Sequence, residues 1–150
     1  VGDVIATNPL AGRDYHLIET FEAGLELKGA EVKSLRNRRA NLRGAFARVE
    51  RGQMWLYGLE IAPYEQAGPW APESKRVRRL LMHRYEIQRL GSQVDRKGLT
   101  IVATKLYFKG PWAKVELALA KGKRVADKRE AIRKREIQRD VRRALKKRMR

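Results

Sequence analysis

Cysteine is absent from the 150 residues, which excludes disulfides, a thiol nucleophile and a thiolate metal site. Histidine is nearly absent. His16 and His83 are the two present, and neither has the His/Asp/Glu spacing of a metal centre, so both read as structural or surface residues. No apolar run approaches the roughly 18 residues that cross a bilayer, and no basic stretch followed by an apolar one opens the chain. With no cysteine, that pattern points to a soluble protein of a reducing cytoplasm, without a membrane partner. Ser34, Ser74 and Ser92 lack the neighbours of a nucleophile elbow, and the glycines form neither a P-loop nor a dinucleotide fingerprint. Glu19, Glu22 and Glu26 fall on expected strands or turns, where a solvated face is their usual role. Enzymatic chemistry, RNA hydrolysis included, has no acid/base pair or metal cluster to rest on. Neither a cofactor nor a metal is expected.

Negative charge is the other scarcity. The chain has 17 Asp/Glu against 35 Lys/Arg, a net charge of +18 and a pI near 10.8. Such a surface suits a polyanion. The charge is concentrated: residues 121–150 hold 15 Lys/Arg and 4 Asp/Glu, leaving only +7 on the first 120. Asp127 followed by Lys128, Arg129 and Glu130 has the form of a capping box, so a helix is expected to start there. Ile137, Val141, Leu145 and Met149 recur every four residues in an otherwise cationic segment. So narrow a stripe makes an isolated helix marginal in water, and the tail is expected to order on its partner.

Three parts follow: a loose arm over 1–14, a domain over 15–120 and a basic tail over 121–150. Tyr15 to Phe21 and Leu25 to Lys28 read as two short strands. Glu31 to Arg38 reads as a short helix with cations toward its end. Ala45 to Val49 and Met54 to Tyr57, joined at Arg51-Gly52, read as a hairpin. Gly68, Pro69 and Pro72 make the stretch to Ser74 a loop. Leu80, Leu81 and Met82 fit either a buried strand or a helix start, and a helix is expected from about Arg84 to Lys97, stopped by Gly98. Leu99 to Phe108 and Ala113 to Leu119 form the clearest hairpin, turned at Gly110-Pro111.

Short antiparallel strands with two or three helices and no strand-helix alternation predict a mainly β fold: a small OB-like barrel with a basic C-terminal tail. Such a barrel offers aromatics for stacking and cations for phosphates. Tyr15, Trp55, Tyr57, Tyr107 and Trp112 are candidates for that face, though an aromatic on a strand is more often core. Lys75 to Arg79 is a candidate phosphate contact, against ordinary solvated charge.

Specific motifs narrow the reading. Phe21-Glu22-Ala23-Gly24-Leu25 followed by Gly29-Ala30-Glu31-Val32-Lys33-Ser34-Leu35-Arg36 closely resembles the signature of the small protein B (SmpB) family, the tmRNA-binding proteins of bacterial trans-translation. Arg78 to Glu86, Leu106-Tyr107-Phe108, Ala120 to Lys123 and Asp127-Lys128-Arg129 match in the same order. The resemblance implies a monomeric OB-like adaptor that binds the tRNA-like domain of tmRNA and carries it to the A site of a stalled ribosome. The tail then becomes helical in the decoding centre and the empty mRNA channel. By position it implies tmRNA contacts at Arg13, Tyr15, Glu22, Lys33, Arg36, Arg78, Arg79, Leu81 and His83. The tail contacts on small-subunit rRNA would be Lys121, Lys123, Arg124, Asp127, Lys128, Arg129, Arg133, Lys134, Ile137 and Val141. Glu22 can accept from a base amino group, a 2′-hydroxyl or an Arg that is itself on phosphate, or can brace a local cation. Leu81 and His83 can pack on RNA or simply start a helix. Ala126 stands where the family usually has His or an aromatic, and Arg13 where some members have His. The alternative reading is a ribosome-associated or general single-stranded RNA-binding OB-fold protein.

Overall fold

The computed structural model describes residues 3–123, 137–139 and 142–143. In chain order its elements are β1 (Val4–Thr7), α1 (Pro9–Asp14), β2 (Tyr15–Leu25), α2 (Gly29–Arg36), β3 (Ala40–Asn41), β4 (Phe46–Glu50), β5 (Gln53–Tyr57) and β6 (Glu60–Ile61). A 3-10 segment (Glu65–Trp70) leads to β7 (Arg78–Leu81), α3 (Arg84–Lys97), β8 (Thr100–Lys109) and β9 (Trp112–Gly122). Strand β8 pairs β4, which pairs β5, then β7, β2 and β9, and β9 returns to β8. All pairings are antiparallel. The ring therefore closes into a barrel, which removes free sheet edges from these six strands. Strand β1 pairs β8 at residues 105–107, further along that strand from β4, and β3 pairs β6 in a separate two-stranded sheet.

Alternation explains the closure. Ala113, Val115, Leu117 and Leu119 of β9 are buried and join Met54, Leu56, Leu80 and Leu106 in one apolar cluster. Burying a leucine of this kind stabilises a fold by about 1.5–3 kcal/mol. Helix α3 lays Ile87 and Leu90 on that core. Its start is fixed by Glu86, whose carboxylate accepts from the His83 backbone N–H at 3.3 Å, and its end by left-handed Gly98. The expected helix over 84–97, the long hairpin and the Arg51-Gly52 hairpin are all present. Arg51 and Gly52 both have positive φ, 52° and 75°, as a two-residue primed turn requires.

Several expectations are corrected. The arm is not loose over residues 4–14: it holds β1 and α1, and Asn8 explains why. Its amide donates to Ala103 O at 2.8 Å, while its Oδ1 accepts from Leu10 N and Gly44 N at 3.2 and 3.1 Å. One 7% exposed side chain thus caps α1 and ties it to the barrel. Pro9 follows at the first helical position, where its missing N–H costs nothing. The two short strands over 15–28 are one strand, β2, which accommodates a bulge between Leu17 and Glu19. Of the two readings left open for Leu80 and Leu81, the strand is the one present. The barrel runs past residue 120, since β9 continues to Gly122 and Lys123 N donates to Asp14 O at 2.9 Å. Residues 137–139 and 142–143 are helical and exposed. The expected helix start at Asp127 lies outside the described residues.

Candidate nucleic-acid interface

The register of the barrel builds one outer row across four strands. Leu81 of β7 stands opposite Gly24 of β2, Gly24 opposite Lys114 of β9, and Lys114 opposite Tyr107 of β8. Next to it runs a second row, Glu22, Glu116 and Lys105. Gly24 leaves room in the first row: a Cβ there would crowd the Leu81 Cβ at 3.3 Å, so Leu81 would have to shift by a few tenths of an ångström. The absence of that Cβ lets Leu81 lie across the strand, 47% exposed.

Glu22 is the chemical centre of this face. Its Oε2 accepts from the Tyr107 hydroxyl at 2.5 Å, and Lys109 Nζ lies 3.4 Å from Oε1. The tyrosine hydrogen bond, aided by Lys109 and Lys114 and opposed by partial desolvation, holds the Glu22 carboxyl below its ordinary pKa. Burial first, and then the carboxylate, push the Tyr107 phenol upward. The pair is therefore fixed as phenol and carboxylate at neutral pH. Its remaining lone pairs sit at the surface among Lys105, Lys109 and Lys114, with exposed Trp112 opposite Lys109 in the register. A carboxylate framed by cations can accept from a base amino group or a 2′-hydroxyl while the lysines take the adjacent phosphates.

At the end of β7 the imidazole of His83 stacks on Tyr85, with centroids 5.5 Å apart and planes 13° from parallel. Both residues are exposed, Tyr85 at 69%. Arg89 of α3 reaches back to β2, placing Nη2 at 3.1 and 3.0 Å from the two Glu19 oxygens and its guanidinium 5.8 Å from the Phe21 ring. On α2, Lys33 lies over the Tyr64 ring at 5.2 Å and Arg36 over the Phe108 ring at 4.9 Å, one residue from Lys109.

Other expected contacts lie elsewhere. Tyr15 is seven positions before Glu22 along β2, about 20 Å away at strand rise. It packs half-buried against Ala11, Val102, Ala118 and Ala120. Arg13 beside it is exposed and pairs with Asp14 at 3.1 Å. Lys121 is exposed opposite His16, and Lys123 Nζ donates to Gly12 O at 2.9 Å. These four residues mark the end from which the tail departs. Arg124, Asp127, Lys128, Arg129, Arg133, Lys134 and Val141 lie outside the described residues, and Ile137 is 56% exposed.

Arg78 is a correction. It is 0% exposed, and its guanidinium is committed to Glu31 at 2.7 Å and to the carbonyls of Leu59, Arg76 and Ser74 at 2.8, 3.1 and 3.0 Å. Arg76 grips the other Glu31 oxygen at 2.5 Å. Within the expected cationic run, Arg78 holds the fold, and Arg79 is exposed, with Glu26 at 3.8 Å. Sequence reading did not place Lys105, Lys109 and Lys114 on the Glu22 face. Their signal was available: Lys105, Tyr107 and Lys109 alternate with period two, so they share one face of β8.

Fold and face define a small antiparallel barrel of the nucleic-acid-binding class. The family model described as "SmpB protein" matches residues 5–147. The chain belongs to the SmpB family. It is 54% identical over 142 residues to the SsrA-binding protein of Carboxydothermus hydrogenoformans, covering 95% of each chain. With the SsrA-binding protein of Pelotomaculum thermopropionicum it shares 53% identity over 147 residues, covering 98% of this chain and 96% of the relative. A solved chain from work on tmRNA-SmpB at the centre of the bacterial ribosome is 47% identical, with a TM-score of 0.67, over 85% of this chain and 93% of its own.

Proposed function

We propose that this chain binds tmRNA (SsrA) through its barrel and brings it to stalled ribosomes, with the basic tail occupying the decoding centre and the empty mRNA channel. The observation that carries this reading is the match, at about half identity and nearly full length, to proteins named for SsrA binding. The Glu22 face supplies the chemistry, a fixed carboxylate among lysines next to exposed Leu81 and His83. Arg79, Lys33 and Arg36 flank it as phosphate contacts, while Arg13 and Tyr15 contact RNA from the tail end. The role is that of a monomeric, cytoplasmic adaptor: it positions one RNA on another and catalyses no reaction itself.

The test separates the two parts. Removing residues 124–150 spares the last strand and the Lys123 tether. That variant is expected to keep its affinity for the tRNA-like domain and to lose peptide tagging on stalled ribosomes. Glu22→Ala is expected to weaken tRNA-like domain binding about tenfold, the size of one charged hydrogen bond. Competition against unrelated RNA at near-physiological salt decides between this reading and general RNA binding. Equal affinity for both RNAs, with a steep salt slope, would favour the general binder. Tagging by the truncated chain would overturn the role given to the tail.

A further inference from the structure

A cleft of about 600 Å³ opens between α3 and β4, lined by none of the residues of the Glu22 face. That size is ordinary for a small-ligand site, which spans about 300–1,000 Å³. It is lined by Phe46 and Arg48 from β4, by Gly91, Val94 and Asp95 from α3, and by Thr100 from β8. The helix packs on β4 at Gly91, where even an added Cβ would sit in ordinary contact, 3.6 Å from the Val49 side chain.

We infer that this cleft is a second nucleotide site, taking one unpaired guanine from a single-stranded stretch of RNA. This rests on the RNA-binding reading above but uses none of the residues assigned to it. Phe46 is 36% exposed and is held by a parallel stack on Tyr57, with centroids 5.3 Å apart and planes 7° from parallel. An aromatic braced in this way gives an unstacked base a rigid surface at little cost in side-chain entropy. Arg48 lies 6.0 Å over the Tyr57 ring and makes no ion pair among the described residues, so its charge is available to the phosphate of the same nucleotide. Asp95 selects the base. It is exposed, and its side chain forms no hydrogen bond or ion pair among the described residues. A carboxylate presents two acceptors side by side, and guanine alone among the four RNA bases offers two adjacent donors, N1–H and N2–H, on its Watson–Crick edge. The base rests between Phe46 and Val94, its edge on Asp95 and its phosphate on Arg48.

The experiment measures affinity of the full chain for three RNA hexamers: uridine only, one central guanine, and one central adenine. The guanine hexamer is expected to bind about tenfold more tightly than hexauridine, the usual worth of a good bidentate base contact. Asp95→Asn is expected to remove that preference and favour adenine, because an amide pairs one donor and one acceptor with the adenine edge. Asp95→Glu keeps the guanine preference. Phe46→Leu, which retains apolar volume without the ring, is expected to weaken all three hexamers. Equal binding of the guanine and uridine hexamers, or an unchanged preference in Asp95→Asn, overturns the site. The tRNA-like domain is titrated alongside with the unmodified chain. A missing guanine preference with that affinity intact removes the cleft alone, and loss of selectivity for the tRNA-like domain removes the tmRNA reading alone.

Discussion

Glu22 and Glu31 stand nine positions apart, each clasped by cationic or hydroxyl partners, yet one lies at the surface and the other inside. Glu22 on β2 is bonded by Tyr107 and Lys109 and keeps 39% of its side chain exposed. Glu31, in the first turn of α2, has 3% exposed and is gripped by Arg76, Arg78 and the Lys28 backbone N–H. An ionised group at the surface retains lone pairs for a ligand, whereas a buried one must spend all of its bonding on the protein. The difference separates a charge spent on holding this barrel from one that keeps bonding capacity for a partner. Removing a partner from the buried cluster should cost stability, and removing Glu22 should cost affinity.

The sharpest way to break that contrast is Arg78→Ala. It leaves Glu31 ionised in a nearly dry site and frees the carbonyls of Leu59, Ser74 and Arg76. Breaking a buried pair from one side costs about 3–5 kcal/mol. Urea unfolding should therefore give a much lower midpoint with an unchanged slope. The double variant Arg78→Met, Glu31→Leu should recover much of the loss, because an apolar pair needs no counter-charge. An unfolding free energy for Arg78→Ala within about 1 kcal/mol of the parent would show that the cluster is solvated.

The fate of Arg78 also marks what the sequence could convey. Strand alternation, the Glu86 and Gly98 ends of α3 and the hairpin turns depend on neighbours in the chain, and they read directly from residues 84–119. Asn8 and Arg78 do not. Asn8 is buried because Ala103 and Gly44, far along the chain, come to it in the fold. In sequence it resembles the start of a loop. Arg78 lies in a run with Lys75, Arg76 and Arg79, and only the pairing of β7 with β2 and β5 decides which of these cations turns inward. The Glu22 face was legible in part, through the family motif. Its lysines come from β8 and β9, and the register that unites them with β2 is set by tertiary pairing.

Acid gives the second test. Burial by itself would raise the Glu31 pKa, but the hydrogen bonds from Arg76, the Lys28 backbone and Arg78 outweigh it and hold the carboxyl below its ordinary range. A carboxyl depressed on folding contributes stability that is complete above its unfolded pKa, about 4.3, and is lost as pH falls through the folded value. Thermal melts should thus be insensitive to Glu31 between pH 5 and 7 and fall steeply below about pH 4.3. Glu31→Gln should be less stable at neutral pH and show a shallower acid slope. An identical slope in the two proteins would assign the acid sensitivity to other carboxylates.

The smallest effect is the most informative about function. Glu22→Ala removes the acceptor of the Tyr107 hydroxyl and the partner of Lys109, which is 63% exposed. Water can replace the carboxylate at such a surface, so the unfolding free energy should change by less than about 1 kcal/mol. Burial first and then the Glu22 carboxylate raise the Tyr107 pKa, so this variant should lower it part of the way, and alkaline absorbance titration reads that change directly. Affinity for the tRNA-like domain should nevertheless fall about tenfold. Tyr107→Phe separates the remaining possibilities, because it frees the same carboxylate without removing it. If Glu22 contacts RNA, this variant keeps most of its affinity, while a loss equal to that of Glu22→Ala would mean that the carboxylate serves mainly to orient Tyr107.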